Sequence, residues 1–148
     1  MAEKKLMKGN EAFAAAAINA GCRYYFGYPI TPQSEVPEYM SRELKKAGGA
    51  FIQAESELGA INMAYGASAA GGRVLITSSS PGIALMQESI GLLCSVELPV
   101  VIINVMRGGP GIGSSPPRPT IIRSPAAVPT ATITPSFWLL TLFRKPST

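Results

Sequence analysis

Histidine is absent from this chain, and cysteine occurs only at Cys22 and Cys94. There is no CxxC pair, so a Cys/His metal centre has no ligand set and no metal-binding residue is expected. The two thiols lie far apart inside apolar segments. They read as buried, reduced cysteines and not as a disulfide scaffold. No apolar run reaches about 18 residues, so no membrane-spanning helix is expected. The opening "MAEKKLMKGNEAF" carries charge but no following apolar stretch, which argues against a signal peptide. Together these absences place the protein in the cytoplasm, away from membranes.

Acid is missing from the end of the chain. Residues 1–114 hold nine Lys/Arg and nine Glu, a neutral body. Arg118, Arg123, Arg144 and Lys145 supply the whole net charge of +4. A pI near 9.3 is therefore a property of the tail. It does not describe a basic face suited to nucleic acid.

What remains is a chain of 148 residues, 47% hydrophobic, enough for one domain with one core. "EAFAAAAINA" predicts an Ala-rich helix capped at Asn10 and ended by Gly21. "CRYYFGYP" predicts a short strand. "TPQSEVPEYMSRELKKA" predicts a helix with Thr31 as N-cap and Pro32 in its first position, stopped at Gly48–Gly49. "AFIQAE" is a strand and "SELGAINMAYGASAAGG" a small-residue helix. "RVLITSSS" is a strand, "PGIALMQESIGLLCSVE" a helix, and "LPVVIINVM" a strand apolar throughout, as parallel strands buried on both faces are. The strict alternation implies an α/β fold: an open parallel sheet with helices on both faces.

Ligands of such sheets bind beyond the carboxyl ends of the strands. That rule selects Tyr28–Thr31, Glu55–Glu57, Thr77–Gly82 and Arg107–Gly113. Thr31 is either a helix cap or part of an anion site. Glu55 and Glu57 are either solvated acids at a helix start, or one of them is a buried acid bonding a ligand nitrogen. "TSSSPG" reads equally as turn chemistry and as a ligand cradle. In "RGGPGIG", Arg107 can grip a carboxylate while glycines let backbone approach closely. It is neither a Walker loop nor a dinucleotide fingerprint, because no Lys-Ser/Thr and no helix pattern follow.

Taken together and in order, "LMKGNEA", "AGCRYYFGYPITPQSEVPEYM", "FIQAESELGAINMAYGASAAG", "TSSSPGIALMQE" and "ELPVVIINVMRGGPGIG" resemble the 2-oxoacid:ferredoxin oxidoreductases. The likeness is to the N-terminal part of the alpha subunit, the pyrimidine-binding thiamine diphosphate domain, over roughly Lys4 to Gly113. "RGGPG" is most similar to the branched-chain type, acting on 3-methyl-2-oxobutanoate; the 2-oxoglutarate type is the alternative. The resemblance implies that Glu57 is the catalytic, cofactor-binding acid, bonding the aminopyrimidine and favouring its imino tautomer. It implies that Thr31 and Arg107 hold the substrate carboxylate. Glu55 acquires no role. The implied reaction is oxidative decarboxylation of a 2-oxoacid to its acyl-CoA, with electrons passed to ferredoxin. Magnesium and an iron–sulfur cluster are expected on partner subunits, because this chain has no GDG-type motif and no cysteine set. Alone, the chain is expected to be a truncated and inactive part of the enzyme.

The resemblance stops after "GPGIG", where family members continue along the lines of "IQPxQ-x-DY". Joining the third base of each tail codon to the first two of the next recovers that continuation. In this frame Ser115–Arg123 can read PAQADYYQ, Ala126–Thr134 GGAHGDYH, and Phe137–Thr148 LAPDTVQEAVD. The expectation is a partial pyrimidine-binding domain over 1–114 and a frameshifted, disordered tail over 115–148. A natural Pro/Thr/Ser linker is the other reading of the tail. For the whole chain, the alternatives are a non-catalytic α/β binding or assembly module and, more weakly supported, a dinucleotide-binding domain.

Overall fold

The computed structural model describes residues 6–107 and the backbone of 138–143. Eleven residues from Gly9 to Asn19 form α1. They are followed by β1 (Tyr24–Gly27), α2 (Glu35–Glu43) with a 3-10 turn over Lys45–Ala47, and β2 (Ala50–Gln53). Next come α3 (Glu57–Ala69), β3 (Val74–Ser78), α4 (Ser80–Leu85), α5 (Gln87–Ser95) and β4 (Val100–Met106). A last strand, β5, spans Trp138–Phe143.

All strand pairs described are parallel, in the order β2-β1-β3-β4-β5. The expected open sheet is present, with a core on each face. Helices α3, α4 and α5 cover one face through Ala60, Ile61, Ala64, Met86 and Leu93 against Phe26, Ile76 and Ile102. Helices α1 and α2 cover the other, where Ala14, Val36, Met40 and Leu44 meet Tyr25, Leu75 and Ile103. The small residues of α3 let it lie close to the sheet. Its outer positions Leu58 and Met63 remain exposed.

Several boundaries differ from expectation. Asn10 is not the cap of α1; Lys8 holds that position, and Asn10 lies inside the helix. Thr31 is not the cap of α2, and Pro32 is not its first residue, because the helix begins at Glu35. The later start places Pro37 in the first turn, where a backbone N–H has no helical partner to lose. The helix expected after Pro81 is two helices that meet at Met86, which is fully buried. The glycine stops hold: Gly21 and Gly48 adopt the left-handed conformation at φ 92° and 76°.

Within the tail, the backbone of Trp138–Phe143 pairs with β4 from Val101↔Trp138 to Met106↔Phe143. Without them β4 would present an unpaired edge, and "WLLTLF" has the composition of a strand. The rest of the tail, and Gly108–Gly113 of the fourth loop, lie outside the described residues.

Candidate functional site at the carboxyl end of the sheet

The first loop is built by residues distant in sequence. The Gln33 side chain, fully buried, donates from Nε2 to the Tyr28 carbonyl at 3.0 Å. From α1, Asn10 Nδ2 donates to the Pro32 carbonyl at 3.0 Å and to Glu35 Oε2 at 2.7 Å. These bonds hold Tyr28–Gln33 as a turn, with a cis Thr31–Pro32 peptide, and leave Thr31 at the surface. Arg107, one residue past β4, reaches across the sheet end and donates from Nη1 to the Thr31 carbonyl at 3.3 Å. Ser80 donates to the Arg107 carbonyl at 3.3 Å. The two residues expected to share a substrate carboxylate therefore stand together.

The second loop separates its two acids. Ser56 caps α3, its hydroxyl accepting from the Gly59 N–H at 3.0 Å. That cap turns Glu55 outward and Glu57 inward: Glu55 is exposed, whereas Glu57 is 8% exposed. The third loop meets Glu57 from β3 and α4. A Cβ built on Gly82 would lie 2.7 Å from Glu57 Oε1 and would strike the Ser78 hydroxyl. Only glycine at 82 lets the hydroxyl and the carboxylate pack this close to the α4 backbone.

Buried polar atoms without partners gather at this end of the sheet. Among the described residues they are Gln33 Oε1, Ser78 Oγ, Ser79 Oγ, Asn104 Oδ1 and Arg107 Nε. Ser78 closes β3 and Ser79 follows it, Arg107 follows β4, Asn104 lies inside β4 near its end, and Gln33 lies in the turn between β1 and α2. Such atoms are costly unless a ligand, water or another chain satisfies them. A buried acid and orphaned hydroxyls suit the polar edge of a planar heterocycle. The site therefore fits the aminopyrimidine of thiamine diphosphate, with Glu57, Ser78 and Gly82 as the residues that would hold it.

Among the described residues no cluster of His, Cys, Asp or Glu could hold a metal ion. No described helix is long and apolar enough to cross a membrane. A separate apolar groove of about 550 Å³ lies at the opposite end of the strands, lined by Phe13, Ala17, Cys22, Arg73 and Val101 among others. It shares none of the site residues.

Sequence reasoning selected Glu57, Thr31 and Arg107 but missed Asn10, Gln33 and Ser80, which fix the loops. Their roles are contacts across 22, 5 and 27 positions, and only Gln33 carried a local signal, its place next to the Thr-Pro turn.

A parallel α/β sheet with a buried acid and orphaned polar groups at its carboxyl end has the form of a ligand-binding domain. Residues 15–116 match the family described as pyruvate flavodoxin/ferredoxin oxidoreductase, thiamine diphosphate-binding, and the chain belongs to it. It is 55% identical over 114 residues to ketoisovalerate oxidoreductase subunit VorB of Methanothermobacter thermautotrophicus, covering 77% of this chain and 32% of that protein. It is 49% identical over 109 residues to 2-oxoglutarate synthase subunit KorA of Methanocaldococcus jannaschii, covering 74% and 30%. The 2-oxoglutarate:ferredoxin oxidoreductase of Magnetococcus marinus, solved with 2-oxoglutarate, coenzyme A and succinyl-CoA bound, superposes with a TM-score of 0.70 at 41% identity. The overlap covers 71% of this chain and 18% of that one. The chain spans about a third of the length of the curated relatives it matches.

Proposed function

We propose that this chain supplies the pyrimidine side of a thiamine diphosphate site in a 2-oxoacid:ferredoxin oxidoreductase. The observation that carries the reading is Glu57, buried at the start of α3 and packed with the Ser78 hydroxyl against Gly82. The reaction converts a 2-oxoacid and coenzyme A to acyl-CoA and carbon dioxide. The carboxylate bond to the 2-oxo carbon breaks, a bond to the coenzyme A sulfur forms, and the released electron pair passes to ferredoxin. Thiamine diphosphate, when bound, supplies the nucleophile for the 2-oxo carbon and takes up the electrons that carbon dioxide leaves behind.

The chain's own residues prepare that chemistry. Glu57 shares a proton with the ring nitrogen from a buried position, where a hydrogen bond to a ligand meets little competition from water. Arg107 offers a permanent charge in a planar fork, and Thr31 stands at its side, so the pair orients the substrate carboxylate. Magnesium, the iron–sulfur cluster, coenzyme A and ferredoxin are met on partner subunits of a cytoplasmic complex. The greater identity to ketoisovalerate subunits favours 3-methyl-2-oxobutanoate as substrate. The 2-oxoglutarate reading is the second, supported by the KorA relatives and the Magnetococcus structure.

The domain ends near residue 114, and residues 115–148 are the same gene read out of frame. The family match ending at residue 116 supports this division. The functional test is 2-oxoacid-dependent ferredoxin reduction after co-expression with the matching partner subunits. Activity that is lost in Glu57→Ala supports the enzyme reading. A well-assembled complex without activity while Glu57 is intact would favour a non-catalytic assembly module.

A further inference from the structure

Ser78 closes β3 at 1% exposure, and its hydroxyl has no partner among the described residues. Its register neighbour on β4 is Asn104, whose Oδ1 is also without one. Register neighbours in a parallel ladder point to the same face. Two residues earlier, Ile76 and Ile102 place that face in the core covered by α3, α4 and α5. Glu57 arrives there from α3 and Gly82 from α4. The Cβ position at Gly82 would be contacted by Ser78 Oγ and by Glu57 Oε1 and Cγ, the last two at 2.7 and 2.9 Å. The hydroxyl and the carboxylate thus crowd the bare Cα of Gly82, in space that only glycine leaves to them.

We propose that Ser78 is a positioning residue for Glu57, and that Gly82 leaves the two side chains the room to meet. The inference rests on the thiamine diphosphate reading above. A carboxylate has about four acceptor sites, and a ring N–H occupies only one. With the ring bound, rotation about the Ser78 Cα–Cβ bond lets the hydroxyl, unpartnered among the described residues, donate to the Glu57 oxygen that faces away from the ring. That bond fixes the rotation of the carboxylate, so its other oxygen is held in the ring plane. Rotation of a side chain between staggered positions needs no backbone movement. A methyl group at position 82 would collide with both side chains and push the carboxylate out of that plane.

The test uses the chain assembled with its partner subunits, with thiamine diphosphate and magnesium titrated by equilibrium dialysis. Ser78→Ala should raise the cofactor Kd about tenfold, the loss of one hydrogen bond to a charged group, and leave the KM for the 2-oxoacid unchanged. Ser78→Thr, which keeps the hydroxyl, should recover most of the affinity. Gly82→Ala should raise the Kd more than Ser78→Ala does, with an unchanged circular dichroism spectrum. Wild-type affinity in Ser78→Ala, or equal losses in the Ala and Thr variants, overturns the inference. Glu57→Gln separates it from the parent reading. If that variant binds cofactor as the wild type does, the thiamine diphosphate reading itself fails; if it loses affinity while Ser78→Ala does not, only the role of Ser78 is lost.

Discussion

Arg107 and Thr31, 76 positions apart in sequence, meet through a hydrogen bond of 3.3 Å from the guanidinium Nη1 to the threonine carbonyl. The bond places a fixed positive charge over the turn after β1, next to the strand ends beyond which ligands of parallel sheets bind. Arg107→Lys keeps the charge but loses the planar fork. It should raise the KM for the 2-oxoacid roughly tenfold or more, the loss of a charge-assisted hydrogen bond, with cofactor affinity unchanged. Steady-state kinetics of the assembled enzyme, varying the 2-oxoacid and thiamine diphosphate separately, measures this. Equal changes in both constants would argue against a carboxylate-holding role.

Asn10 acts on the same turn from behind. Its side-chain amide donates to Pro32 and Glu35, tying α1 to the start of α2. Asn10→Ala should cost about 1–2 kcal/mol of stability, because a partly buried acceptor pair loses its donor. It should also loosen the Thr31 turn, so the KM for the 2-oxoacid rises with little change in kcat. Urea unfolding and substrate kinetics on one variant read the two effects.

Alkaline pH should destabilise the fold through Tyr25. Its hydroxyl is 2.8 Å from Thr77 Oγ1 inside the core, and burial pushes the phenol up from 10.0 to about 12. The folded state thus holds the proton more tightly than the unfolded chain. The stabilisation is fully present below pH 10 and is lost as pH rises from about 10 to about 12. Burial also raises the Cys22 thiol above 9.0, which acts in the same direction from about pH 9 upward. Tyr25→Phe should flatten the slope between pH 10 and 12 while lowering stability at neutral pH by about 1 kcal/mol, since Thr77 loses its partner. Denaturant midpoints measured at several pH values check both.

The tail admits two separate measurements. Sequencing the coding DNA should show family-like sequence in the adjacent frame from about residue 115 onward; its absence would leave the natural-linker reading in place. Deleting residues 138–148 should expose the edge of β4, which β5 now pairs. Light scattering should then show increased self-association, the usual consequence of an unpaired apolar edge strand.

The layer order of the fold was legible in the amino-acid pattern. Alternation of helical and apolar stretches, glycine stops at 21 and 48, and a continuous apolar β4 are local or periodic signals, and they survive as the parallel sheet with helices on both faces. The motif order carried the family, and it named Glu57, Thr31 and Arg107. Tertiary structure alone decided which acid of "ESE" is buried, because Glu55 and Glu57 are chemically alike and only the Ser56 cap and the approach of α4 set them apart. It also decided that Thr31 belongs to a braced turn and not to a helix cap. The bonds from Asn10, Gln33 and Arg107 that hold that turn join elements whose proximity depends on the order β2-β1-β3-β4, and no local pattern encodes such an order.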